Sequence, residues 1–281
     1  SSDLVCLNTK TMSIAGDQFS EESYALRKGI ATAINFYKAE SVSEYFGNDT
    51  SAVDYPCVGN ILIDKTAEDY MTPYSTDAAG EPIFTEEMTA KERWDALKSA
   101  CLGFFEKAGY TVEDGKITAA PEGGRLTFTA EYSGVNGSHP AKTALEKAAG
   151  LLGELGITLN VNDIADAGVL HESLTSGLYD IAAFSQDGTL RSIYLDGVYR
   201  TDTEALTELV EAAEAATQEE AAGAYYAVYD RVINTYAAEI PMYERTKCVL
   251  YSSLRVSGAS VTKDMTASYN WEDELDRIAM K

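Results

Sequence analysis

Histidine is nearly missing from this chain: His139 and His171 are the two in 281 residues. There is no HExxH pair, no GxSxG nucleophile elbow, no glycine-rich phosphate loop and no GxGxxG turn, so the short motifs that carry zinc, acyl-transfer, nucleotide or dinucleotide chemistry are all absent. Cysteine is sparse too. Cys6, Cys57, Cys101 and Cys248 show neither CxxC nor any metal spacing. Cys101 and Cys248 stand among apolar residues of a predicted helix and strand, where a buried free thiol is the simplest reading; a disulfide is left open. Basic residues are outnumbered, 22 Lys and Arg against 45 Asp and Glu, for a net charge of −23. Such a surface repels phosphate backbones and argues against a nucleic-acid partner. It suits cationic or amine-bearing ligands, although solubility alone explains it as well. No apolar run approaches the ~20 residues of a membrane-spanning helix, and no signal peptide opens the chain. Ser1-Ser2-Asp3 leads directly into an apolar strand, the expectation for an excised fragment. Neither a metal nor a cofactor is expected.

What is present is a regular alternation of strands and amphipathic helices. Leu4-Val5-Cys6-Leu7 reads as a strand ended by Asn8-Thr9-Lys10. Ser20 with Glu21 and Glu22 opens a helix whose first-turn acids complement its dipole, and Tyr24, Ile30, Ala33, Ile34 and Tyr37 mark its apolar face. From Val42 to Met88 the periodicity fades. Pro56, Pro73 and Pro82 with Gly47, Gly59 and Gly80 predict a long irregular connection (42–88) carrying one short helix. Thr89 to Glu92 is a capping box before a helix faced by Trp94, Leu97, Cys101, Leu102, Phe105 and Ala108. Gly109 and Tyr110 end it as a left-handed cap with an apolar contact, and Asp114-Gly115 predicts a tight hairpin turn.

Leu126, Phe128, Ala130 and Tyr132 alternate as a strand. Pro140 is placed for the first position of the next helix, buried along Ala141, Ala144, Leu145, Ala148, Leu152 and Leu155. Ile157, Leu159 and Val161 alternate again, giving a βαβ unit with parallel strands. A helix over Val169 to Ser176, stopped by Gly177, precedes a strand from Tyr179 to Phe184. Two further boxes, Thr201 to Glu204 and Thr217 to Glu220, predict two helices. In the second, Tyr225, Tyr226, Tyr229 and Tyr236 read as core residues rather than a stacking platform. Pro241 is expected to stop that helix after Ala237-Ala238-Glu239-Ile240, with a last strand over Lys247 to Tyr251 and a helix-like tail from Glu272 to Lys281.

Ordered segments of this chain resemble the C-terminal part of family 5 extracellular solute-binding proteins, the peptide- and nickel-type receptors of ABC importers. The similar pieces are Leu7-Asn8-Thr9, Arg27 to Ile34, Lys107-Ala108-Gly109-Tyr110 with Asp114-Gly115-Lys116, Leu155-Gly156-Ile157, Gly177-Leu178-Tyr179-Asp180, the Ile-Pro-Met-Tyr turn with Val256-Ser257-Gly258, and Ser268-Tyr269-Asn270-Trp271. The resemblance implies an α/β fold, a periplasmic-binding-protein-like lobe with a mixed, mostly parallel sheet flanked by helices. Residues 1–281 would form one C-terminal lobe, with 42–88 as its irregular connection, 259–281 as its terminal segment, and the N-terminal lobe missing.

Ligands of open α/β sheets bind beyond the carboxyl ends of the strands. Three places qualify: Asn8-Thr9, the loop from Tyr132 through Asn136 to His139, and the loop from Ser185 to Arg200. In the resembling family the third faces the cleft, and many peptide binders carry there a Trp-x-x-Asp-Tyr-x-Asp-Pro whose carboxylate holds a peptide amino terminus. This chain departs from it with Ser185-Gln186-Asp187-Gly188-Thr189-Leu190-Arg191. Asp187 is a candidate partner for an amine and Arg191 for a carboxylate; both also read as solvated loop charges. The candidate ligand residues are therefore Asn8, Tyr132, Asn136, Ser185, Gln186, Asp187 and Arg191. His139, just before a helix, reads as a cap or a surface residue rather than a base or nickel ligand.

The expected function is the solute-binding component of an ABC importer and not an enzyme. Its implied partners are a peptide or other small solute, a membrane permease and the missing lobe. It would sit lipid-anchored on the extracellular face of the cell membrane, or in the periplasm. Two alternatives stand beside it. A lone lobe exposing its former interface would be a surface interaction domain. An exported hydrolase would need two carboxylates at catalytic separation, one of raised pKa, and the sequence nominates no such pair.

Overall fold

The computed structural model describes residues 2–47, 50–56, 63–134, 137–199, 201–245, 251–261 and 275–281. Cys57, Asn136, Cys248 and Ser268 to Trp271 lie outside them, as does the expected strand after Lys247 apart from Tyr251, which is irregular.

Leu4, Val5, Cys6 and Leu7 are all buried, so strand β1 (Ser2–Leu7) is covered on both faces. Around it lies a six-stranded sheet of order β2-β8-β1-β7-β5-β6. The other strands are β2 (Thr50–Ala52), β5 (Thr127–Tyr132), β6 (Thr158–Asp163), β7 (Ile181–Gln186) and β8 (Glu239–Arg245), while β3 (Thr111–Glu113) and β4 (Lys116–Ala119) form a separate hairpin. The sheet is mixed, as expected, but its parallel character is confined to one half. β5 runs parallel to β6 and to β7, whereas β1 is antiparallel to both β7 and β8, and β2 to β8.

Helices α1 (Glu21–Phe36), α2 (Lys38–Phe46), α3 (Ala90–Lys107) and α4 (Lys142–Leu155) pack on one another. The remaining helices are α5 (Ala167–Ser176), α6 (Glu204–Ala215) and α7 (Ala221–Tyr229). Local signals account for several ends. Ser20 caps α1, and Thr89 with Glu92 forms a complete capping box on α3. At the other end of α3, Tyr110 N–H bonds Phe105 C=O and Gly109 N–H bonds Glu106 C=O, both at 2.9 Å, with Gly109 left-handed. This is the Schellman arrangement, and the Tyr110 ring seals it against Phe105 at 5.2 Å. Asp114 and Gly115 both take positive φ, 51° and 74°, as a two-residue I′ hairpin requires.

Other local readings shift. Thr203, not Thr201, caps α6, accepting from Leu206 N–H; Thr201 is buried and donates to the Tyr194 carbonyl. The Thr217 box is half made, with the Glu220 carboxylate accepting from Thr217 N–H and hydroxyl. Pro140 precedes α4 by a turn rather than starting it. The larger correction concerns Pro241. The helical run ends in a π-helical turn, Asp230–Thr235, and 239–245 is strand β8, not helix followed by a turn. Proline is tolerated there because the β1–β8 ladder slips between Asp3 (facing Tyr243) and Leu4 (facing Pro241), a bulge of the kind that accommodates a missing donor. Of the expected tail helix, the described residues 275–281 form only a tight turn and a bridge between Val256 and Met280.

Gly156 ends α4 at φ 102°, with the Ile117 carbonyl oxygen 2.3 Å from where a Cβ would stand. Gly150, in the exposed interior of the same helix, has nothing within 4 Å. Gly156→Ala should therefore lower stability by about 2 kcal/mol or more, and Gly150→Ala should raise it by about 0.5–1 kcal/mol, both read from urea denaturation midpoints.

Candidate functional site

β5 and β7 are parallel, so their carboxyl ends reach the same edge of the sheet. The start of β1 joins them, since Ser2 pairs with Gln186 and Asp3 with Ser185. β8 runs the opposite way to β1 and therefore also finishes at this edge. The edge holds an open depression of about 480 Å³, lined by Ser133 and His139 after β5, His171 on α5, and Ser185, Gln186 and Asp187 at the end of β7. Leu170, Leu174, Phe184 and Val198 give it an apolar floor and wall. Larger depressions lie along α3, the biggest at about 750 Å³, but away from the strand ends.

Several groups in this depression have a defined state. The Gln186 amide oxygen is buried without a hydrogen-bond partner among the described residues. Ser185 donates its hydroxyl to the Asp3 carboxylate. Asp187 is exposed. His139 Nδ1 accepts from Ala141 N–H at 3.1 Å, so the neutral ring carries its proton on Nε2. The ring lies 5.2 Å from that of buried Tyr132. Burial pushes the imidazole pKa down, against the pull of Asp3 and Asp163, which favours this neutral tautomer at physiological pH. His139 thus braces the turn before α4 rather than capping the helix, whose cap position is Ala141, and it also faces the depression. His171 and Asp3 were not among the sequence candidates, because α5 and the beginning of β1 reach this edge only through the sheet's long-range pairing.

The structure separates the seven candidates. Ser185, Gln186 and Asp187 meet in the depression, and Tyr132 backs it through His139. Asn8 does not belong there. Because β1 is antiparallel to β7, its carboxyl end lies by Ile181, at the opposite edge. Asn8 is wholly buried, and its amide donates to the carbonyls of Gly177 (3.2 Å) and Tyr179 (2.8 Å) while its oxygen accepts from Lys10 N–H. Arg191 is also engaged, paired with Glu214 at 3.1 Å and Glu211 at 3.6 Å on α6, which leaves it poorly placed to take a ligand carboxylate. Asn136 lies outside the described residues.

The segment Gly177 to Asp180 holds this architecture in place. Gly177 caps α5 in the left-handed region. Tyr179 is buried and donates to the Val198 carbonyl at 2.8 Å, tying down the wall of the depression. Asp180 bonds Arg125 and accepts from Thr129 N–H at 3.0 Å, fixing β7 against β5. Among the described residues no group of three His, Cys, Asp or Glu side chains is arranged to hold a metal ion.

No protein-family model matches the sequence, and no curated protein matches it. Solved structures do. The Escherichia coli murein tripeptide binding protein MppA superposes with a TM-score of 0.57 at 14% identity over all of this chain and 48% of its own. A nickel ABC transporter protein from Bacillus halodurans gives 0.57 at 13% over 95% of this chain and 50% of its own. The oligopeptide-binding protein AppA from Bacillus subtilis, solved with a nonapeptide, gives 0.54 at 13% over 86% of this chain and 44% of its own. The likeness establishes the fold as that of a solute-binding-protein lobe. This chain spans about half the length of those proteins.

Structural and ligand roles separate under substitution. Asn8→Ala should cost about 2 kcal/mol of stability by stranding buried carbonyls. Arg191→Ala, which breaks only part-exposed ion pairs, should cost less than about 1 kcal/mol. Thermal or urea unfolding of the two variants distinguishes them.

Proposed function

We propose that this chain is the C-terminal lobe of a two-lobed solute receptor that delivers its ligand, a peptide or comparable small solute, to an ABC importer. The observation that carries the reading is the meeting of Ser185, Gln186, Asp187 and His139 at the carboxyl ends of β5 and β7, in a fold shared with proteins that bind a murein tripeptide and a nonapeptide. The depression is open on one side, as half of a cleft would be, and a second lobe closing over it by hinge motion would exclude water from the ligand.

The chemistry of the lining favours N–H donors over carboxylates. Among the described residues Gln186 offers a buried, unpartnered acceptor, Asp187 an exposed anion, and Arg191, on the turn after β7, is already paired on α6. A backbone amide or an amino group satisfies these acceptors; a free carboxylate does not. The receptor would work on the extracellular side of the membrane, lipid-anchored or periplasmic. Among the described residues no helix is long and apolar enough to cross a membrane. The lobe by itself supplies half of the contacts and would bind weakly. Concentration-dependent self-association of the isolated chain would favour an interaction domain instead.

Calorimetric titration of a tripeptide panel into protein carrying both lobes tests the reading. Micromolar or tighter binding is expected, weakened roughly tenfold by Gln186→Ala through the lost acceptor with unchanged circular dichroism. A panel that gives no heat, or a Gln186→Ala variant that binds as the parent does, would remove peptides from this site.

A further inference from the structure

Among the described residues, Glu239 is an acid without a counter-ion in the middle of the core. It opens β8 opposite Cys6 of β1 and is wholly inaccessible. Oε2 accepts from the Tyr194 hydroxyl at 3.0 Å, while Oε1 has no hydrogen-bond partner. The groups facing it are the phenols of Tyr194 and Tyr199 from the segment after β7, the Tyr74 phenol, which donates to the Glu239 backbone carbonyl at 2.6 Å, and the Cys6 thiol. Tyr229 of α7 stands behind Tyr194. Arg27 of α1, which acts on Tyr74 of this cluster, spends its guanidinium on the backbone carbonyls of Met12, Gln18 and Tyr236. The Tyr199 hydroxyl, near enough to ease the carboxylate charge, also completes no hydrogen bond.

Tyr194 belongs to the π-helical turn Arg191–Leu195, directly downstream of Ser185, Gln186 and Asp187. Its carbonyl accepts from the Thr201 hydroxyl at 2.7 Å, and its ring lies 5.2 Å from that of Tyr199. Beyond it, Val198 forms a wall of the depression. We propose that Glu239 is a positioning residue for the pocket, held as the neutral acid: protonated, it lets Tyr194 and with it the 188–199 wall close over it without burying a charge, and loss of the proton favours opening of that wall to solvate the carboxylate. The closure stands on geometry alone; only the consequence for a solute rests on the function proposed above.

A charge buried without a partner is unfavourable, and the hydrogen bond from Tyr194 offsets only part of the cost. Burial raises the Glu239 carboxyl from 4.5 to about 7, with Tyr199 and Tyr194 acting against the rise. The folded state therefore keeps a proton that the unfolded state gives up. The stabilisation is complete below the unfolded value of 4.5, declines as pH rises and is lost above about 7. His139, on the same pocket, runs with the opposite sign: its lowered pKa makes acid conditions, not alkaline ones, unfavourable.

The experiment uses the chain as it stands and needs no ligand, so its outcome is independent of what the pocket binds. Urea midpoints and amide hydrogen exchange over 188–201, corrected for intrinsic rates, are measured from pH 5 to pH 8 for the parent and Glu239→Gln. In the parent, exchange over 188–201 should accelerate roughly tenfold or more across this range as the linked proton is lost. Glu239→Gln should remove that acceleration and flatten the stability profile. Parallel profiles in the two proteins would overturn the proposal. Should Glu239→Gln not fold, Tyr194→Phe decides: losing a hydrogen bond that favours the ionised acid should move the transition to higher pH, and an unmoved transition would overturn the proposal equally.

Discussion

The buried guanidinium of Arg27 is the constraint on which the arrangement of the core depends. Among the described residues it is the largest side chain fully removed from solvent, and no carboxylate of theirs pairs with it. Nε donates to the Tyr236 carbonyl (2.6 Å), and the terminal nitrogens donate to Met12 and Gln18 (both 2.9 Å). A planar fork of fixed donors suits three carbonyls arriving from different directions; a lysine ammonium does not reproduce that geometry. Burial pulls its pKa down to about 10, so the group stays charged at neutral pH and the carbonyls must stay with it. One side chain thereby fixes α1, the loop after β1 and the chain just before β8 relative to one another. Arg27 and Glu239, the two wholly inaccessible charged side chains among the described residues, are each held by dipoles rather than by the other. Such an arrangement makes backbone placement, not ion pairing, the condition for burying charge.

The segments legible in the sequence are those whose cause is local. The Thr89 box, the Gly109-Tyr110 cap, the Asp114-Gly115 turn and the apolar faces of α1, α3 and α4 each depend on residues within a few positions, and each forms as its spacing dictates. Pro241 shows the limit. Ala237 to Ile240 has helical composition, and the bulge that admits a proline is created by β1, more than two hundred positions earlier. The βαβ reading of β5, α4 and β6 held because its connections are short. The antiparallel placement of β1 beside β7 has no such signature, and it moves Asn8 from the ligand edge to the opposite one.

The same division runs through the site. Loops at the carboxyl ends of β5 and β7 are visible as candidates because strand ends are visible. Whether a residue in them is free to meet a ligand depends on distant partners. Arg191 is taken by Glu211 and Glu214 of α6, whereas the Gln186 amide oxygen finds no partner among the described residues. The segment Gly177 to Asp180 shows why family resemblance and ligand contact are different things. All but Leu178 have work within the fold: ending a helix, tying a loop, joining two strands.

The π-helical turn over Asp230–Thr235 sets a requirement on chain length rather than on composition. It continues α7 with wider hydrogen-bonded loops, and Tyr236, whose carbonyl meets Arg27, follows it immediately. Each residue of a helix advances the direction of the next by about 100°. Deleting any one residue here, however bland, would return the turn to ordinary α-helical pitch and swing that carbonyl away from the guanidinium. Point substitutions at the partly exposed positions of this stretch are comparatively free; insertions and deletions are not, and sequence drift in this part of the chain is confined to changes that keep the residue count.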